Sequence, residues 1–280
     1  YEIVSRDWSS DVCSSDLLLS SGGDLTLSSV GGLHVGANGA IFSAANANLA
    51  SDADFANLGQ VSAAGNLTIS AVTTAVSSGL IESGQDVRLV SSDATIAGDV
   101  TALGRAEFEI GDRLDISGQL SSIEGISLSA SDVILAANTR SISGGDFVVS
   151  ATGLAHLDGI VSAGDELSVS AGQIRNSGQV FGDAGIHLVS GGDIVQSGSI
   201  QAAGLLEISG QSISLANENL GLTGIGISGT DIDVAGTLAT NGQTMVSADN
   251  LRIGGAIVGQ AGLSLTISGL VDLLSTGSVE

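Results

Sequence analysis

A motif that returns about every twenty residues constrains this chain more than anything else in it. A Gly, one or two polar residues and then apolar–polar–apolar–Ser recur along its length. The motif reads GDLTLS at 23–28, GNLTIS at 65–70, GISLS at 125–129, DELSVS at 165–170, GIHLVS at 185–190, GLLEIS at 204–209, GIGIS at 224–228 and GLSLTIS at 262–268. The second apolar position gives the series Leu27, Leu49, Ile69, Leu89, Ile110, Leu128, Val149, Val169, Leu188, Ile208, Ile227, Val246 and Ile267. Its mean step is 20 residues, with individual steps between 18 and 22. Self-similarity at a fixed period of this size marks an array in which each unit leans on its neighbours.

Each period reads as three short strands. In 167–185 they are LSVSA, GQIRNSG and QVFGDAG, with Leu167, Val169, Ile174 and Val180 alternating with polar neighbours. That period-2 alternation belongs to half-buried strands, and the Gly, Ser and Asn between them suit turns. Strands so short bury nothing alone. Stacked on equivalent strands one period away, they form a parallel β-helix, a solenoid. The sequence therefore predicts an all-β chain of about 13 coils, about 20 residues and three short strands per coil. At roughly 4.8 Å per strand spacing that is a rod of about 60 Å. An α/β fold needs crossovers of about a dozen residues, and this period has no room for them. No segment sustains a helical apolar period, so no helix is expected.

Composition agrees with that geometry. Apolar residues make up 43% but aromatics only 2%, so core material is Val, Ile, Leu and Ala, as a narrow lumen requires. There are 41 Gly for corners and no Pro, whose missing N–H would break a ladder. β-branched richness argues against disorder, and no apolar run approaches the ~20 residues of a membrane span. The net charge of −23, with no Lys and seven Arg, excludes nucleic acid as a partner.

The repeat resembles the haemagglutinin repeats of filamentous-haemagglutinin-like exoproteins, large adhesins that Gram-negative bacteria secrete through a dedicated outer-membrane partner. GDELSVSAGQIRNSGQVFGDAG at 164–185 carries the likeness best, and it extends over about 18–280. The resemblance implies a shaft segment, secreted or at the bacterial surface. It implies two partners: a two-partner secretion transporter, engaged through an amino-terminal domain not recognisable here, and a host or neighbouring-cell surface. No carboxy-terminal toxin or anchor is recognisable either, and a chain ending in mid-coil is expected to be a fragment. Two alternatives stay open. One is the stalk of a contact-dependent growth-inhibition toxin; the other is a polysaccharide-degrading β-helix enzyme.

The first seventeen residues stand outside the repeat and hold the only Tyr, Trp and Cys: Tyr1, Trp8 and Cys13. They lack the apolar core of a signal peptide, and Cys13 has no second Cys or nearby His for redox or metal chemistry. A polar cap for the first coil is one reading. Asp7–Leu17, however, resemble residue for residue a translated frame of a common sequencing-library adapter. The expected division is 1–17, foreign to the protein, and 18–280, the repeat region.

Few residues suggest chemistry. Gly224, Gly226 and Gly229 match a dinucleotide fingerprint, but that motif must open a helix, and TDIDVAG continues as a strand. His34, His156 and His187 lie in different coils and are read as surface histidines. Asp231 with Asp233, and Asp52 with Asp54, are spaced to share a strand face and so to offer oxygens to Ca²⁺ or the carboxylates of a glycoside hydrolase. The calcium nonapeptide is absent, and a saccharide cleft would be lined with aromatic and basic side chains, of which this chain offers only five Phe and, beyond residue 17, six Arg. Solvated acids are the expectation. Asn66-Leu67-Thr68 fits a glycosylation sequon. The one conspicuous break in the pattern, SAANANLASDADFANL at 43–58, carries no His, Lys or Arg. No catalytic, cofactor-binding or metal-binding residue is therefore assigned.

Overall fold

The structure is a computed structural model that describes residues 18–76 and 78–279. The expectation about residues 1–17 lies outside the described residues. All regular structure among them is β-strand, and every ladder is parallel. Strands recur in threes, and each pairs with its equivalent one coil on. The fold is a parallel β-solenoid of about thirteen coils. No described helix is long and apolar enough to cross a membrane.

The chain divides into two compact units, up to Ser143 and from Gly144. In the first, one column of strands runs Leu25–Ser29, Ala47–Ser51, Leu67–Ser70, Val87–Ser91, Arg105–Ile110 and Gly125–Ala130. A second begins Leu33–Val35, Asp54–Asn57 and Thr73–Val76, and a third begins Leu18–Ser21, Ala40–Ser43 and Gln60–Ala63. The second unit repeats the plan, except that Gly224–Val234 and Gln243–Ile253 carry the first two strands round their corner unbroken.

Alternation puts every second side chain in the lumen, where aliphatics stack rung on rung. In the first unit the central column is Leu27, Leu49, Ile69, Leu89, Phe108 and Leu128. In the second it is Val149, Val169, Leu188, Ile208, Ile227, Val246 and Leu265. Two members of the predicted series are thereby corrected. Ile110 stacks on Ser91, and Ile267 on Ala248, each one inward position too late. Steps within this column run from 19 to 22. Phe55, Phe108 and Phe147 are buried in the lumen, so it accepts rings as well as aliphatics.

Corners are built by two devices. Entering the third strand of a coil, successive chains approach too closely for a side chain: a Cβ on Gly118 would overlap the carbonyl oxygen of Gly98 and stand 2.7 Å from that of Ala97. Asn217, at φ 56°, stands where the flanking coils have Gly198 and Gly236. Asn is one of the few residues that tolerate that left-handed region. At the third strand's far end, buried serines hold the corner in the first unit. Ser122 Oγ lies 2.6 Å from the Gly104 carbonyl on the preceding coil and 2.8 Å from that of Gly125. Ser43 and Ser83 repeat the arrangement. Ala63 and Ala102 take that place in intervening coils of the first unit; in the second unit Ala163, Gly182, Ala202 and Gly221 do, followed by Thr240, whose Oγ1 accepts the Gly242 N–H at 2.9 Å.

Candidate functional site

The outward positions bear almost all the charge, so any site is sought there. Many of the described residues with chemistry are paired off locally, mainly between successive coils. His34 Nε2 lies 2.6 Å from Asp54 Oδ2, twenty residues on. Arg88 Nη2 donates to Glu109 Oε2 at 2.7 Å. His187, whose ladder neighbours are Ser168 and Glu207, has its Nδ1 2.8 Å from Glu207 and its Nε2 3.7 Å from Glu166. The histidines thus pair with carboxylates, and His156 and His187 occupy different columns. Arg113 makes a two-pronged contact with Asp115, at 2.7 and 2.9 Å. That hydrogen bond, then the Asp115 charge, push its guanidinium further above its already high ordinary value; slight burial opposes this, and Asp132 adds a smaller lift.

Asp231 and Asp233 do share a face, on either side of buried Ile232. Asp231 Oδ1 accepts from Asn250 Nδ2 at 2.8 Å, and Asp233 lies 3.5 Å from Arg252. A shallow depression of about 360 Å³ opens over these four residues. Asp52 and Asp54 do not share a strand face. Asp52 lies in the corner between Ala47–Ser51 and Asp54–Asn57, so only Asp54 is on the strand. The 43–58 coil stacks like its neighbours, with Ala47, Leu49, Phe55 and Asn57 inward, and its acids and amides are a matter of outward positions and corners. Among the described residues no group of three or more His, Cys, Asp or Glu is placed to hold a metal ion.

One constellation has the residue types of a nucleophile triad. Asp158 Oδ1 accepts from Ser177 Oγ and lies 2.9 Å from His156 Nε2. The wiring is wrong for catalysis. A triad needs the histidine between the acid and the nucleophile, so that it takes the nucleophile's proton. Here the carboxylate is in the middle, and the imidazole is directed to it.

Gly224 and Gly226 lie within the long strand and Gly229 near its bend, with Ile225 and Ile227 inward, as TDIDVAG led one to expect. Asn66 is exposed but belongs to a backbone device that sequence reasoning missed. Asp24, Asn46, Asn66 and Asp86 stack at one corner, and each side-chain Oδ1 accepts the N–H of the next coil, at 3.0, 2.9, 3.2 and 2.8 Å. The last of these N–H groups is that of Arg105. Recurrence of Asp or Asn at about twenty residues was the signal for it.

Taken together, coil geometry accounts for these side chains: aliphatic rungs inside, bracing pairs outside. That defines a β-solenoid repeat segment. The haemagglutinin-repeat family model matches residues 9–29, 14–57, 35–121, 96–238 and 223–275, and the chain belongs to that family. The family is one of structural adhesins, secreted surface proteins that are in general substrates of two-partner secretion. Comparison with curated proteins and with solved structures gave no match.

Proposed function

We propose that this chain is a length of the shaft of a large secreted adhesin, holding binding or effector regions away from the bacterial cell. In this reading it is exported through an outer-membrane two-partner transporter and faces a host or neighbouring-cell surface. The observation that carries it is the pairing of outward charged and polar side chains between successive coils, at His34–Asp54, Arg88–Glu109, His187–Glu207 and Asp231–Asn250. Such contacts brace stacked coils. A catalytic centre would instead break the pattern, with groups converging on one point.

The test is an activity screen of the purified chain on acidic and neutral polysaccharides, with and without Ca²⁺. The expected result is no release of reducing ends or unsaturated sugars. Release that Asp231→Asn or Asp233→Asn abolishes would overturn the shaft reading in favour of a carbohydrate-active solenoid.

A further inference from the structure

Amides interrupt the aliphatic lumen of the second unit. Asn176, Gln196 and Asn219 are 2%, 1% and 0% exposed. Asn176 and Gln196 are ladder partners that close the second strands of consecutive coils, and Asn176 Nδ2 donates to Gln196 Oε1 at 2.7 Å. The other end of Asn176 is also satisfied, since its Oδ1 accepts the Gly178 N–H at 3.1 Å. Gln196 is left incomplete: its Nε2 has no protein partner, and the next rung is Leu215. Asn219 has the opposite defect. Its Nδ2 faces the carbonyls of Ala216, Asn217 and Thr237 at 3.3 to 3.5 Å, while its Oδ1 has no protein partner.

The two orphans flank the same corner on successive coils. Gln196 ends one strand, and the chain turns through Ser197 and Gly198 into Ser199–Ala202. One coil on, Leu215 stacks on Gln196, and Asn219, just past the same turn, stacks on Ile200. One orphan is a donor and the other an acceptor. Nearly all buried polar groups in native proteins are paired. Where protein groups do not meet, an ordered water with about three hydrogen bonds is the usual agent.

We propose that one water is bound in the lumen at this corner, accepting from Gln196 Nε2 and donating to Asn219 Oδ1. Asn176, Gln196, the water and Asn219 then form a single hydrogen-bonded seam across three consecutive coils. The seam also opposes misstacking. A slip of one coil sets an aliphatic rung on another aliphatic rung, but it parts Asn176 from Gln196 and breaks the amide pair, since the rungs on either side of it are Leu157 and Leu215.

A crystal structure of the whole chain, at a resolution that shows ordered water, tests the site directly. The expected density lies within hydrogen-bonding distance of both Gln196 Nε2 and Asn219 Oδ1. A dry corner, or a Gln196 side chain turned onto a backbone carbonyl, overturns the proposal. A double-mutant cycle of Gln196→Leu and Asn219→Leu, read by urea melts, tests the coupling. Each single change should lower the folding equilibrium constant about tenfold, and the pair by about the same factor rather than about a hundredfold. Strict additivity also overturns it. If a variant does not fold, the crystal structure of the unaltered chain decides.

Discussion

Thr74 is placed where a valine should do better. It stacks between Phe55 on the preceding coil and Ala94 on the next, 3% exposed, and its Oγ1 has no hydrogen-bond partner in the protein. Thr74→Val exchanges that hydroxyl for a methyl of nearly the same shape and keeps the β-branch that a strand favours. An unpaired buried hydroxyl costs about 1–3 kcal/mol, and the methyl that replaces it is buried between Phe55 and Ala94. The variant should be more stable by about 1–3 kcal/mol, with an unchanged urea m-value. For a unit of this size that is a rise in Tm of about 2–10 °C. Thr101→Val is the control. Thr101 Oγ1 lies 3.1 Å from Ser121 Oγ on the outer face, and losing that bond should cost about 1 kcal/mol or less. A Thr74→Val chain no more stable than the original would refute the reasoning, because it would mean that the hydroxyl is satisfied after all.

Ile208, 1% exposed, and its outward neighbour Ser209 make a sharper pair for the register. Ile208→Asp should cost several kcal/mol by burying an unpaired charge, and Ser209→Asp should be nearly silent in the same denaturant melts. Gly118→Ala should cost about 3 kcal/mol, since its Cβ meets backbone that cannot move aside; Gly191→Ala, with nothing within 4 Å, should be neutral or gain about 0.5 kcal/mol. Arg88, Arg105, Arg113, Arg140, Arg175 and Arg252 all lie in paired strands, so trypsin should cut after them only when urea has unfolded the chain. A chain beginning at Leu18 should match the full chain in circular dichroism and melting midpoint. Sequencing the locus from unprocessed genomic DNA should not return the Trp8 and Cys13 codons.

How far the sequence could be read follows from what a period-2 pattern encodes. Alternation tells which face a residue takes, and the twenty-residue repeat tells what it stacks on, so fold and lumen were legible. The exact rung was not. In Ala106, Phe108 and Ile110 three consecutive inward positions are apolar, and a shift by two residues leaves every face unchanged. Phe108 and Ile110 differ by such a shift, and only the backbone ladder separates the two.

The outward pairs were hidden for a related reason. His34 lies opposite Ala56 and Arg88 opposite Glu107, so His34–Asp54 and Arg88–Glu109 are diagonal pairs at 20 and 21 residues, whereas Asp231–Asn250 is a direct rung at 19. No single period displays them together. Asp52 and Asp54 lie on either side of a strand boundary, at a corner where spacing by two no longer means a shared face. Inward residues are set by packing at almost every rung, so their identity says a great deal about the fold. Outward residues need only keep the surface polar and the coils braced. Even the histidines, the side chains best suited to acid–base chemistry, are engaged with neighbouring carboxylates. A receptor would therefore leave little mark on such residues unless it docked on this face, and mutation of the outward columns is the way to ask whether one does.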